Sequence, residues 1–395
     1  MNKNVPKLRF KGFEDEWKEK KLSSICIINQ GLQIAISDRY TEYKDGRYFY
    51  ITNEFLKDNS EKKYYIENPV ESVKCTEEDI LMTRTGNTGK VVTNVSGAFH
   101  NNFFKINYDK EKINKNFLCE ILTCFKTQKN ILRLAGTSTI PDLNHSDFYS
   151  IRINLPSLEE QTKIANFLSN VDKIIEEQEG KVKDLELYKK GMMQKIFKQE
   201  IRFKDDNGKD YSKWETTNIE EISQIKMGFT PSTKDDNAWG GGVEWLSIAG
   251  MTSKYIYDGN KKISRELLGK RKLVPQDTLI MSFKLTIGRL AIVKRELMTN
   301  EAICQFYWKN KNILNEYMYG YLSTVNISSF GCRAAKGITL NTESLNSIVV
   351  KLPCLEEQTK IANFLSNIDN IIEEENKKLE DLRQWKKGLL QQMFV

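Results

Sequence analysis

Apolar residues recur every three to four positions through two long stretches of this chain. In the first they are Ile164, Phe167, Leu168, Val171, Ile174, Ile175, Val182, Leu185, Tyr188, Met192 and Ile196. In the second they are Ile361, Phe364, Leu365, Ile368, Ile371, Ile372, Leu379, Leu382, Trp385, Leu389 and Met393. Glu and Lys fill the opposite face, and no proline interrupts either run after Pro156 or Pro353. This spacing predicts two coiled-coil helices. At 1.5 Å per residue, ~40 residues make a rod of roughly 60 Å. Elsewhere the apolar runs are short and bounded by Gly and Asn, which predicts strands at Tyr48-Phe49-Tyr50-Ile51, Lys90-Val91-Val92 and Phe103-Phe104-Lys105-Ile106. Later strands are expected at Asp277-Thr278-Leu279-Ile280-Met281 and Leu290-Ala291-Ile292-Val293. A further helix is expected over residues 115–133, with a counterpart near residues 314–323.

The two helical stretches are copies. Residues 155–170 read LPSLEEQTKIANFLSN and residues 352–367 read LPCLEEQTKIANFLSN, fifteen identities in sixteen at an offset of 197. Thirteen of the next 27 pairs, through Phe197 and Phe394, are also identical. Trp17 and Trp214, Gly31 and Gly228, Leu143-Asn144 and Leu340-Asn341, and Ser150-Ile151 and Ser347-Ile348 keep the same offset. The chain is therefore two tandem units, each a variable domain followed by a near-constant helix. The domains are expected at residues 1–154, 155–199, 200–351 and 352–395. The identity extends to polar residues that core packing would not fix. A shared partner surface explains this, and so does a recent duplication.

Charge and chemistry narrow the function. A net charge of +7, from 60 basic and 53 acidic residues, permits a polyanionic partner without demanding one. The polar start, Met1-Asn2-Lys3-Asn4-Val5-Pro6-Lys7, lacks the apolar segment of a signal peptide, and seven scattered cysteines suit a reducing compartment, so a cytoplasmic location is expected. Cys119 and Cys124 have no second pair to complete a zinc site and are expected to be packed thiols. Two histidines, His100 and His145, leave little for metal sites or triads. Thr85-Gly86-Asn87-Thr88-Gly89-Lys90 has the wrong spacing for a nucleotide-binding loop. Pro141-Asp142 could open a metal-nuclease motif, but the nearby Glu179-Gly180-Lys181 lies in the predicted helix. No catalytic residue and no metal ligand is expected.

The repeated Leu-Pro-x-Leu-Glu-Glu-Gln-x-Lys-Ile-Ala-x-Phe-Leu resembles the specificity subunits of Type I restriction-modification systems, and the resemblance covers essentially the whole chain. Gly228-Phe229-Thr230-Pro231-Ser232 followed by Trp239-Gly240-Gly241-Gly242-Val243-Glu244-Trp245 is similar to the same family. The first domain departs at Gly31-Leu32-Gln33-Ile34, so its recognition loop is expected to differ in conformation. The resemblance implies an α+β fold, with two strand-rich target-recognition domains joined by two long antiparallel helices in a pseudo-two-fold arrangement. It implies a non-catalytic subunit that reads an asymmetric bipartite site on double-stranded DNA, with the helices setting the spacer. It implies two methyltransferase partners and, through them, two restriction/translocase partners. S-adenosylmethionine, ATP and Mg2+ would act in those partners. A coiled-coil scaffold that joins proteins without touching DNA stands as the alternative.

Base edges are read by Arg, Lys, Asn, Gln, Ser and Thr, and phosphates by Lys, Arg and backbone NH groups. Gly-rich turns carrying these residues are the candidates. In the first domain they are Arg84, Thr85, Asn87, Thr88 and Lys90, then His100, Asn101 and Asn102, then Thr137, Ser138 and Thr139. In the second they are Thr230, Ser232, Thr233 and Lys234, then Lys284, Thr286 and Arg289, with Arg333 and Lys336. The expected partner surface is Leu155, Pro156, Leu158, Glu159, Glu160, Gln161, Lys163 and Asn166. Its repeat is Leu352, Pro353, Leu355, Glu356, Glu357, Gln358, Lys360 and Asn363.

Overall fold

The computed structural model describes residues 4–57, 60, 62–136, 139–334 and 337–395, with only the backbone described within 332–339. The chain divides into two compact units, Met1–Glu179 with Lys377–Val395, and Gly180–Asn376. The boundary falls inside both long helices, which span Leu158–Phe197 and Leu355–Met393. Each unit therefore contains one variable domain, the first half of its own constant helix and the second half of the other.

The two units share one plan. In the first, an antiparallel sheet runs in the order Cys26–Gln30, Phe103–Tyr108, Ile80–Thr83, Val91–Val92. In the second, Ser223–Met227, Ile303–Trp308, Thr278–Ser282 and Leu290–Val293 repeat that order, and Tyr255–Ile256 adds a fifth, parallel strand. Side chains alternate across these strands. Ile80 and Met82 join the core that includes the constant helices, while Leu81 packs with Phe99 and Phe103 on the other face. Leu279 and Met281 divide from Ile280 in the same way. This explains why the central strands read as unbroken apolar runs. A two-stranded ribbon leads into each constant helix, with Lys18 opposite Leu155 in one unit and Glu215 opposite Leu352 in the other.

The helix expected over 115–133 is two helices, Lys115–Thr123 and Phe125–Ala135, broken at an extended Cys124. The break exposes the Leu122 carbonyl, and the Gln128 amide donates to it at 2.7 Å and to the Gly89 carbonyl at 2.8 Å. The broken helix thus braces a candidate recognition loop. Burial pushes the Cys119 thiol up to about 12, as expected of a packed cysteine.

Within each unit the constant helices pair antiparallel. In the first, Glu179 meets Arg383 at 2.6 Å and Asp172 meets Lys386 at 2.6 Å. In the second, Lys181 meets Glu375 at 2.9 Å, and Lys189 meets Asp369. Phe394, from the second copy's helix, packs edge-on against Trp17 and close to Phe117 in the first unit. Phe197 packs in the same way against Tyr317 and Tyr321 in the second. Among the described residues, no helix is long and apolar enough to cross a membrane.

Candidate nucleic-acid interface

Each unit presents one tight loop where the sheet's central strand turns into its neighbour. In the first unit, the Thr83 hydroxyl donates to the Asn87 carbonyl at 2.5 Å and accepts from the Lys90 NH at 2.9 Å. In the second, the Ser282 hydroxyl donates to the Thr286 carbonyl and accepts from the Arg289 NH at 3.1 Å. The Gly89 NH reaches the Thr83 carbonyl at 2.8 Å, and the Gly288 NH reaches the Ser282 carbonyl at 2.8 Å. Gly86 and Leu285 both adopt left-handed backbone, with φ of 67° and 62°. The segments 84–90 and 283–289 share almost no sequence, yet they form the same hydrogen-bonded turn.

A second turn abuts each loop. The Arg84 NH donates to the Asn102 carbonyl at 2.7 Å, and the Phe283 NH to the Ala302 carbonyl at 3.0 Å. His100 Nδ1 accepts the Asn102 NH at 3.1 Å, and Asn300 Oδ1 accepts the Ala302 NH at 3.1 Å. His100 thus caps its turn as a neutral imidazole. Burial, aided by the Arg39 charge, holds its pKa below the ordinary value. A third segment crosses beside these turns. Any Cβ on Gly31 would lie 2.2 Å from the Phe99 carbonyl, and one on Gly228 1.9 Å from the Thr299 carbonyl, so only glycine fits at either position. Past these glycines the two units diverge. The first forms a short turn at Ile36–Asp38 before Arg47–Ile51, while the second runs into the eight-residue strand Trp239–Leu246.

The candidates of the first unit fall together but play different parts. Asn87 and Lys90 are exposed. Thr88 is buried and donates to the Pro141 carbonyl at 2.6 Å, so it holds the loop rather than reading through it. Arg84 is committed to Asp142 at 2.7 Å, which also disposes of the Pro141-Asp142 nuclease motif. Thr85 is half-buried, and its carbonyl accepts from Asn53 at 3.0 Å. Asn101 reaches Gln33 at 3.2 Å, and Thr139 is exposed. Thr137 and Ser138 lie outside the described residues.

In the second unit Lys284, Thr286 and Arg289 are exposed on the loop. Ser232, Thr233 and Lys234 are exposed nearby in sequence, whereas Thr230 is bonded to Glu301. Arg333 lies on the hairpin strand Cys332–Ala334, and Lys336 lies outside the described residues. Sequence reasoning missed a cleft of about 420 Å³ beside Gly228. Lys226, Lys270, Arg271 and Lys272 line it with no carboxylate, over a floor of Gln305 and Tyr307. The run Gly269-Lys270-Arg271-Lys272 is its visible signal.

The expected partner surface needs correction. Glu160, Gln161, Glu357 and Gln358 are 2% exposed or less. Arg9 grips Glu160 through two bonds of 2.8 Å, and Arg202 grips Glu357 at 3.1 and 2.6 Å. Gln161 accepts the Asn114 NH at 3.0 Å and donates to the Lys112 and Pro156 carbonyls at 3.2 and 3.1 Å. Gln358 repeats this with Leu314, Asn312 and Pro353. These side chains clamp each helix to its own domain. Pro353 is buried as well, and Leu155 and Leu352 end the entry strands. Glu159, Asn166, Glu356 and Asn363 remain exposed, with Lys163 exposed and Lys360 half-buried beside them.

The model of the Type I restriction modification DNA specificity domain matches residues 14–187 and again 211–384, the offset of the internal repeat. The MjaVIII specificity subunit of Methanocaldococcus jannaschii is 25% identical over 95% of this chain and 91% of its own length. The EcoBI specificity subunit of Escherichia coli is 22% identical over 96% of this chain and 86% of its own. The fold is shared with the S subunit of a Type I system from M. genitalium, with a TM-score of 0.53, 17% identity and 99% of each chain covered. It is also shared with a chain solved in work on complex assembly of the type I R-M system, with a TM-score of 0.62, 15% identity and 96% and 97% covered. The chain therefore belongs to the family of Type I restriction-modification specificity subunits and carries the DNA specificity domain twice.

Proposed function

We propose that each unit reads one half of a bipartite duplex site through its tight loop, and that the two halves are read independently. The observation that carries this reading is the pair of loops at 84–90 and 283–289, alike in backbone and different in exposed side chains. A fixed turn with variable tips is what two readers of different sequences require. The exposed groups are donors and acceptors suited to base edges, and the cations of the cleft at Lys226 and Lys270–Lys272 suit phosphates.

The chain itself is a non-catalytic adaptor in this reading. Methyltransferase subunits dock on the exposed repeated face of Glu159, Lys163 and Asn166 and of Glu356, Lys360 and Asn363. Restriction/translocase subunits join through them. S-adenosylmethionine, ATP and Mg2+ serve the partners, and the paired helices set the spacer. The test is methylation-aware sequencing of DNA modified by the assembled complex. Asn87→Ala is expected to relax one half-site and Lys284→Ala the other, each by about 1–3 kcal/mol where the side chain makes a bidentate base contact. Equal loss in both halves from either substitution refutes independent reading. Binding that ignores salt refutes DNA contact and favours a protein scaffold.

A further inference from the structure

Leu285 stands at the tip of the second unit's loop, 94% exposed and in left-handed backbone at φ 62°. Both features are unfavourable for leucine. Its apolar surface lies in water, and L side chains rarely adopt that conformation. The turn does not need the side chain, because Gly86 holds the same place in the first unit at φ 67° with none. The fold gains nothing from this leucine, so its use lies in what approaches the loop.

The surroundings indicate the chemistry of that visitor. Lys284 and Thr286 flank the leucine and are exposed, and Arg289 closes the loop. The loop hangs on the Ala302 carbonyl, and Gly228, at the mouth of the four-cation cleft, lies within a long hydrogen bond of the next carbonyl, Ile303. The leucine is thus an isolated apolar tip on a basic surface that presents hydrogen-bond donors. On the edges of duplex DNA, the apolar group projecting into the major groove is the 5-methyl of thymine. We propose that Leu285 is the specificity-determining apolar contact of the second unit, set against a thymine methyl in the half-site that unit reads. The inference rests on the reading that the unit binds duplex DNA.

The experiment uses the full chain with its methyltransferase partner and a randomised duplex library, made once with thymine and once with uracil in its place. The bound fraction is sequenced. Wild type is expected to enrich a bipartite sequence with one thymine that Leu285→Gly no longer selects, the other half-site being unchanged. Burying a leucine side chain predicts that this variant loses about tenfold or more in affinity for the enriched site. Removal of a single methyl predicts that uracil at that position weakens wild type about fourfold and the variant not at all. The thermal midpoint of Leu285→Gly is expected not to fall, since glycine relieves the turn. The proposal is overturned if the variant enriches the wild-type sequence. It is equally overturned if uracil leaves the wild-type preference intact while the variant loses it, the result expected of a wedge between base pairs or of a protein contact. If wild type enriches no bipartite sequence, the underlying reading fails and this inference with it.

Discussion

Glu356 and Glu357 are neighbours in the repeated motif, and the structure gives them opposite tasks. Glu357 is fully buried, and its carboxylate takes bonds from Arg202 at 3.1 and 2.6 Å and from the Trp214 indole at 2.9 Å. Glu356 is exposed. Glu357→Gln removes the charge opposite Arg202 and turns an amide NH₂ toward groups that already donate. Breaking a buried ion pair from one side costs about 3–5 kcal/mol. Arg202 keeps 24% of its side-chain surface in water and recovers some solvation, so the lower end, about 3 kcal/mol, applies. For a unit of this size, that lowers the midpoint of thermal unfolding by about 6–12 °C. Glu356→Ala is expected to shift it by no more than about 1 °C. Glu160→Gln should cost less than Glu357→Gln, because the Trp17 indole makes no bond to Glu160 and its NH is buried without a partner. Calorimetry on the purified chain gives the midpoints, and titration with methyltransferase at a temperature where all variants are folded gives docking. Weakened docking is expected for Glu356→Ala and unchanged docking for Glu357→Gln. A Glu357→Gln variant with an unchanged midpoint and impaired docking would refute the clamp and return that residue to the partner surface.

Three further outcomes are expected. His100 has a pKa held below its ordinary 6.5, so protons bind the unfolded chain more readily; its share of stability is present above 6.5 and diminishes as pH falls through the folded-state value. His100→Asn, which supplies the acceptor found at Asn300, should remove that pH dependence, as checked by urea unfolding at pH 7.5 and 5. Removing Lys270, Arg271 or Lys272 should lessen the slope of log affinity against log salt by about 0.9 for each phosphate no longer neutralised, with the recognised sequence unchanged. A fragment of residues 1–199 lacks the helix half that completes its unit, but Val182, Met192, Ile196 and Phe197 of a second copy match Leu379, Leu389, Met393 and Phe394. It should form a homodimer by light scattering, and a stable monomer would contradict the equivalence of the two helices.

The repeat, the two long helices, most of the strands and the loops at 84–90 and 283–289 are legible in the order of residues. Periodicity, turn residues and copied motifs are local, and neighbours along the chain express them without help. Residue order does not reveal which of the identical polar residues face water. Glu159 and Glu160 are adjacent in a motif both copies keep, and what separates them is Arg9, 151 residues away, which reaches only one. The break at Cys124 is hidden for the same reason, since it is stabilised by Gln128 bridging to Gly89 across the fold. The kinship of the two loops is equally invisible. Backbone hydrogen bonds set by strand register make them alike, and register leaves little trace in side chains free to vary. The cation cleft needs Lys226 from one strand beside Lys270–Lys272 from a distant loop. Such pairings emerge in the folded chain alone, because burial and electrostatic partnership depend on groups that folding, not sequence order, brings together.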